Sequence, residues 1–207
     1  MEKNLKDGFK LFQNIAPAYE LFYEKQKKYY TQILLQNGEL LKQLKIHSIL
    51  EIGCGTGGFL SVLHEQGYHV TGLEENEELL RVGRDHPENL GIRFHRGTIA
   101  TKGIRDGSYD LVIAAFKAHD LQSPERLALL REMARVAKTA VLLHDYNHKR
   151  QPFGDDMIFD DWESQYRFIH VIGDEMSEVF PKNLVLAAGT KANWYVGLNG
   201  SKGTVKG

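Results

Sequence analysis

The residues Ile49–Leu63, ILEIGCGTGGFLSVL, constrain the fold more than any other part of the chain. A run of β-formers ends in a bend crowded with Gly53, Gly55 and Gly57, and the apolar residues beyond it switch to helical spacing. Glycine has no Cβ, so such a bend can take positive φ and lets a ligand approach the main chain. A helix that starts beyond it turns its free N–H groups toward that ligand. The expected unit is a β-strand, a tight turn and a helix, with a ligand site at the strand's C-terminal end. Glu51 stands two positions before the first glycine and brings a carboxylate to the same place.

The rest of the chain alternates in the same way. Strands are expected at about 48–52, 69–74, 92–96, 109–114 and 139–144, with helices at about 58–66, 76–85 and 124–137. Ser123-Pro124-Glu125 reads as a helix start with proline at the first helical position. Residues 9–45 have helical periodicity, with Pro17 opening a helix and Asn37-Gly38 breaking one. Such alternation implies an α/β fold, a mostly parallel sheet with helices on both faces. Asn183–Ala188 and Ala192–Leu198, joined by Gly-Thr-Lys, read as a β-hairpin that brings the strands to seven and places an antiparallel strand at the C-terminal end. The segment 147–172, with Phe153, Phe159, Trp162, Tyr166 and Phe168, is longer than a routine connection. It either covers a site or adds a helix whose aromatics enter the core. The expectation is one domain over 1–199, with 1–45 as an N-terminal helical cap and 147–172 as an aromatic insertion, and a disordered tail over 200–207.

A chain of 207 residues holds one α/β domain with a full core. Its formal net charge of −1 argues against a general electrostatic grip on nucleic acid. No apolar run approaches the ~20 residues needed to span a bilayer, and the opening MEKNLKDGFK lacks the apolar core of a secretory signal. The single cysteine, Cys54, excludes an internal disulfide and fits a reducing cytoplasm. Nine histidines occur without a Cys–His cluster or an HExxH sequence, so no metal is expected.

The acidic residue followed by G-x-G-x-G resembles the first motif of the class I S-adenosylmethionine-dependent methyltransferases, and the resemblance runs from about Ile49 to Leu198. The terminal hairpin is part of it, since an antiparallel strand at the end of the sheet is typical of that family. The same bend also fits the dinucleotide pattern G-x-G-x-x-G, as Gly53, Gly55 and Gly58, so the glycines alone do not separate S-adenosylmethionine from NAD. Glu51 does: a carboxylate would repel a pyrophosphate, but suits an ammonium and a sulfonium.

The resemblance implies a role for each residue that matches. Glu51 with Gly53, Cys54, Gly55, Thr56 and Gly57 would hold the methionine part of the cofactor, and Glu74 would accept from the ribose hydroxyls. The other reading of Glu74 is a helix N-cap or first-turn acid. Glu75 takes a position that is usually apolar and packs on adenine, and Thr98 with Ile99 stands where the family often has an acid on the adenine amino group. Phe116 would wall the transferable methyl. Residues Phe12–Glu20 resemble the opening of quinone-biosynthesis methyltransferases, in which a helix closes over the cofactor and the tyrosine matching Tyr19 lies close to it.

His119, His144 and Tyr146 are the catalytic candidates, placed to orient or deprotonate an acceptor. A structural hydrogen-bond network remains the other reading of 144–146, and a helix cap that of His119. The implied reaction is methyl transfer from S-adenosylmethionine to a small-molecule acceptor, leaving S-adenosylhomocysteine. Two alternatives stand beside it: an NAD(P)-binding oxidoreductase, and a protein that holds S-adenosylmethionine or its product without turnover. A hydrolase built on His144-Asp145 lacks the G-x-S-x-G nucleophile turn.

Overall fold

A computed structural model describes residues 16–149 and 162–200 of the chain. The strands are β1 Ser48–Ile52, β2 His69–Glu74, β3 Arg93–Arg96, β4 Tyr109–Ala115, β5 Ala137–Tyr146, β6 Lys182–Ala188 and β7 Ala192–Leu198. The helices are α1 Ala16–Gln43, α2 Gly58–Glu65, α3 Glu77–Asp85, α4 Ser123–Val136 and α5 Trp162–Val179. All seven strands join one sheet in the order β3-β2-β1-β4-β5-β7-β6. Strands β1 to β5 are parallel, and β7 runs antiparallel between β5 and β6.

The two-residue period of a strand sends alternate side chains to opposite faces. Ile49 of β1, Leu111 and Ile113 of β4, Leu142 of β5 and Trp194 of β7 meet Tyr30 and Ile33 of α1 and Phe59, Leu60 and Leu63 of α2. Leu50, Val112, Val141, Leu143 and Tyr195 point the other way, onto Leu130 and Met133 of α4 and Phe168, Ile172 and Met176 of α5. The sheet is therefore buried on both faces, as expected when crossover helices cover parallel strands. Chain order reverses between β1 and β4, and the loops that follow those two strands open a crevice at their C-terminal ends.

Three expectations need correction. The helix α1 runs unbroken through Asn37-Gly38. Gln36 Nε2 and Asn37 Nδ2 both donate to the Ala187 carbonyl, at 3.1 and 2.9 Å, and the Gly189 N–H donates to Gln36 Oε1 at 3.2 Å. This docking on the hairpin outweighs the local preference of Asn-Gly for a turn. From Trp162 onward the segment 147–172 is no insertion but α5, the crossover from β5 to β6, and there it follows the second of its two readings, a helix with an aromatic in the core. Phe168 is fully buried in the core and Tyr166 is half-exposed, whereas Phe153 and Phe159 lie outside the described residues. Finally, β5 is longer at both ends than expected, since β4 and β7 flank it on either side. The tail from residue 201 lies outside the described residues as well.

Candidate functional site

The glycine bend after β1 is stitched to β2 by N–H groups of Gly53 and Cys54, which donate to the Leu73 carbonyl at 2.8 and 3.1 Å. Gly57 caps α2 with φ of 85°, and a Cβ there would stand 2.7 Å from Phe94 Cζ. Gly55, with φ of 55°, is the open side of the bend, where a Cβ would meet nothing within 4 Å. The side chains of Cys54 and Thr56 are buried, so what they can offer to the crevice is backbone. Burial also pushes the Cys54 thiol far up, which removes it as a nucleophile.

A latch from α1 holds the bend in place. Tyr23 OH donates to Asn89 Oδ1 at 2.7 Å, and Asn89 Nδ2 donates to the carbonyls of Thr56 at 3.0 Å and Gly83 at 2.8 Å. Sequence reasoning missed this contact. Its only trace was a polar and aromatic stripe, Tyr23, Gln26 and Tyr30, on one face of the helical period.

The two carboxylates differ in character. Glu51 is buried, with no partner for Oε2 among the described residues. Burial, and then the nearby Glu74 charge, hold its carboxyl well above the usual range. Glu74 ties two loops together: Oε2 accepts from the Gly55 N–H at 3.0 Å, and Oε1 accepts from Glu75 N–H and Asn76 N–H, each at 2.9 Å. With Oε1 filled, Oε2 has one lone pair left, so a diol would find one free acceptor site on Glu74 and not two. Asn76, and not Glu74, caps α3 by accepting from Glu78 N–H and Leu79 N–H.

Glu75 is exposed. The Thr98 hydroxyl is engaged with Thr101, and Ile99 is buried in the core layer of α4 and α5. The Gly97 N–H donates to the Glu74 carbonyl at 2.9 Å, which brings residues 97–99 beside Glu74.

Over β4 and β5 lies an aromatic cluster centred on His144. Phe116, the first residue past β4, has φ of 48°, a left-handed conformation that costs a non-glycine residue about 1 kcal/mol. Its N–H donates to the His144 carbonyl at 2.8 Å, and its ring meets that of His144 edge-on at 4.8 Å. Tyr29 and Tyr30 reach the imidazole from α1, with centroids 5.5 and 5.6 Å away, and Phe59 stacks on Tyr30 at 4.2 Å. Tyr146 packs on Phe116 at 5.1 Å and on His119 at 4.7 Å.

Burial holds His144 at about 3, so the ring is neutral and a weak base. Four residues on, His148 completes a spacing suited to metal ligands on a helix. Here, however, His144 is buried on a strand and His148 is exposed in the turn beyond it. His119 does not cap α4; Gln122 does, its N–H donating to Glu125 at 3.0 Å. Instead, His119 Nδ1 lies 2.8 Å from Asp145 Oδ1, and Asp145 Oδ2 accepts from the N–H groups of Ala118 and His119.

The fold thus gathers Glu51, the glycine bend, Glu74 and Thr98 over β1 to β3, and Phe116, His119, His144 and Tyr146 over β4 and β5. The Lys117 stem bridges the two groups, its Cδ 3.4 Å from where a Gly53 Cβ would stand. Tyr19 falls within α1, but its side chain lies outside the described residues.

A family model for a methyltransferase domain matches residues 49–140. The chain is 27% identical over 136 residues to a demethylmenaquinone methyltransferase of Listeria welshimeri, covering 62% of this chain and 57% of the relative. It is 22% identical to an uncharacterized methyltransferase of Staphylococcus carnosus, over 59% of each chain. The chain therefore spans under two thirds of the length of these relatives. Among solved structures, a SAM-dependent methyltransferase from Aquifex aeolicus superposes with a TM-score of 0.58 at 19% identity, covering 85% of this chain and 97% of the other. The plantazolicin methyltransferase BpumL, solved with a monoazolic desmethylPZN analog and SAH, gives 0.64 at 13% identity over 90% of each chain. At these identities the structures establish the fold.

Proposed function

We propose that this chain is a class I S-adenosylmethionine-dependent methyltransferase that transfers the sulfonium methyl to a small-molecule acceptor, a reading supported by the methyltransferase domain match, the relatives and the fold. The observation that carries the reading is the pairing, at the sheet's switch point, of a buried carboxylate whose Oε2 has no partner among the described residues with a glycine bend open above Gly55. A ligand with positive charge and little tolerance for side-chain bulk fits that pair. When bound, S-adenosylmethionine supplies a methyl group already activated on a cationic sulfur.

The residues of this chain then have separable tasks. Glu51 would meet the positive charge of the methionine part, and the Glu74 Oε2 lone pair would take a ribose hydroxyl. The backbone of Gly53, Gly55 and Thr56 would line the approach, with residues 97–99 at the nucleoside end. Phe116, His119 and Tyr146 would form the acceptor side. Positioning and exclusion of water by that aromatic wall provide much of what an in-line displacement needs. A base is required only where the acceptor must lose a proton; both imidazoles are buried, and His119, with Nδ1 2.8 Å from Asp145 Oδ1 and Nε2 3.2 Å from Asp120 Oδ1, could serve only once Asp120 turns away.

A small-molecule acceptor is supported by the demethylmenaquinone methyltransferases among the relatives. One sheet with its helices supports a single methyltransferase domain over 1–199, with α1 as its cap, and the single cysteine supports a cytoplasmic setting.

Calorimetric titration tests the cofactor half. S-adenosylhomocysteine is expected to bind the wild type, and Glu51→Ala with Glu74→Ala to weaken it by at least about a hundredfold, the loss of two charge-assisted contacts. Equal affinity of the double variant would defeat the assignment. Transfer of labelled methyl to an acceptor panel tests the rest, and binding without transfer would favour the non-catalytic alternative.

A further inference from the structure

The Tyr29–His144 pair has a direction that follows from what surrounds it. Tyr29 OH lies 2.9 Å from His144 Nε2, a hydrogen bond between residues 115 positions apart in the chain. His144 is fully buried, and its other nitrogen, Nδ1, has no partner among the described residues. A neutral imidazole carries one proton, on one nitrogen or the other. If Nδ1 held it, a buried N–H donor would be left unsatisfied, which folded proteins tolerate less than an unfilled lone pair. The proton therefore sits on Nε2, and Nε2–H donates to the Tyr29 oxygen. The hydroxyl proton of Tyr29 is then available to another molecule. Tyr29 is only partly buried, as are the rings of Phe116 and Tyr146 beside it, and the Phe116 ring is 6.3 Å away.

We propose that Tyr29 is a specificity-determining residue of the acceptor side: its O–H, turned outward by His144, donates to a lone pair on a molecule whose flat conjugated ring lies along Phe116 and Tyr146. This deepens the methyl-transfer reading and rests on it only for calling that molecule the acceptor. His144 is a positioning residue here, acting through the tyrosine.

Two measurements on the full chain decide it. In protein labelled with 15N at histidine, and with His144 assigned by comparison with His144→Gln, two-bond proton–nitrogen correlation reads which nitrogen is protonated. Nε2 is expected, and protonation at Nδ1 overturns the proposal. Phenol and cyclohexanol, titrated against the wild type and Tyr29→Phe by NMR, then probe the site. Phenol is expected to bind more tightly than cyclohexanol, and Tyr29→Phe to weaken phenol about threefold to tenfold, the effect of one neutral hydrogen bond. Equal phenol affinity in the two proteins, no preference for the flat ring, or no phenol binding at all would overturn it. S-adenosylhomocysteine affinity is read on the same samples. Its absence with the other results intact would defeat the methyl-transfer reading and leave the Tyr29 site standing.

Discussion

At the scale of single residues, the site is built from groups whose solvation works against them. Glu51 has a carboxyl raised by burial, so the folded protein keeps a proton that the unfolded chain has lost. Stability must then fall as pH rises from the ordinary carboxylate range toward the folded value. Ligand-free Glu51→Gln is therefore expected to unfold at higher urea than the wild type at pH 8, with the difference closing below about pH 4. Equal midpoints at pH 8 would show that Glu51 ionises without cost. His144 works in the opposite sense. Its folded value of about 3 lies below the ordinary 6.5, so the unfolded chain binds the extra proton and stability falls as pH drops through that interval. His144→Gln should flatten that acid limb in the same urea series, and an unchanged limb would contradict the burial argument.

At the scale of elements, two helices show how tertiary contacts overrule or exploit local preference. Gly38 sits inside α1 with helical neighbours, and an added Cβ would meet only Leu34 Cβ, at 4.0 Å. Gly38→Ala should therefore stabilise the protein by about 0.5–1 kcal/mol through helix propensity, read as a rise in the denaturation midpoint. A fall would mean that the helix needs the glycine for a reason other than space. Helices α4 and α5 are joined by Arg126 and Glu175, both buried, with Arg126 Nη2 donating to Glu175 Oε1 at 2.9 Å. The same guanidinium donates through Nη1 to the carbonyls of Ala118, at 3.2 Å, and Leu121, at 2.6 Å. It thereby fixes the turn that carries His119. Arg126→Met strands Glu175 and is expected to cost about 3–5 kcal/mol, whereas Arg126→Met with Glu175→Leu should cost less than the single change. If the double variant proved weaker than the single change, loss of Arg126 would not strand Glu175, whose Oε1 also accepts from Ser123.

At the scale of the whole molecule, the strand order sets where the structure is hardest to open. Strands β1, β4 and β5 lie inside the sheet with helices on both faces, while β3 and β6 are its edges. Native-state hydrogen exchange should find the slowest amides in the interior strands, opening only with global unfolding. Amides of β3 should exchange earlier. Slowest exchange at an edge strand would contradict this order of stability. The helix α1 closes the same face, latching the glycine bend through Tyr23 and meeting His144 through Tyr29, so the bend and the aromatic cluster share one cover.

The α/β alternation, the glycine bend with its two acids and the closing hairpin were legible in the sequence, because each rests on local chemistry. Strand and helix periods, a bend that needs residues without Cβ, and the short step from Glu51 to Glu74 all act within a few dozen residues. What the chain alone could not disclose depends on partners far apart along it. Tyr29 meets His144 across 115 positions, Tyr23 meets Asn89 across 66, and Gln36 and Asn37 dock on Ala187 across 151 and 150. Spacing carries no record of such contacts. Only packing α1 onto the sheet keeps that helix whole at Gly38 and buries His144 as a neutral ring beside Tyr29. The motifs of the candidate site were written locally; the protonation and orientation of its groups were decided by what the tertiary structure removed from water.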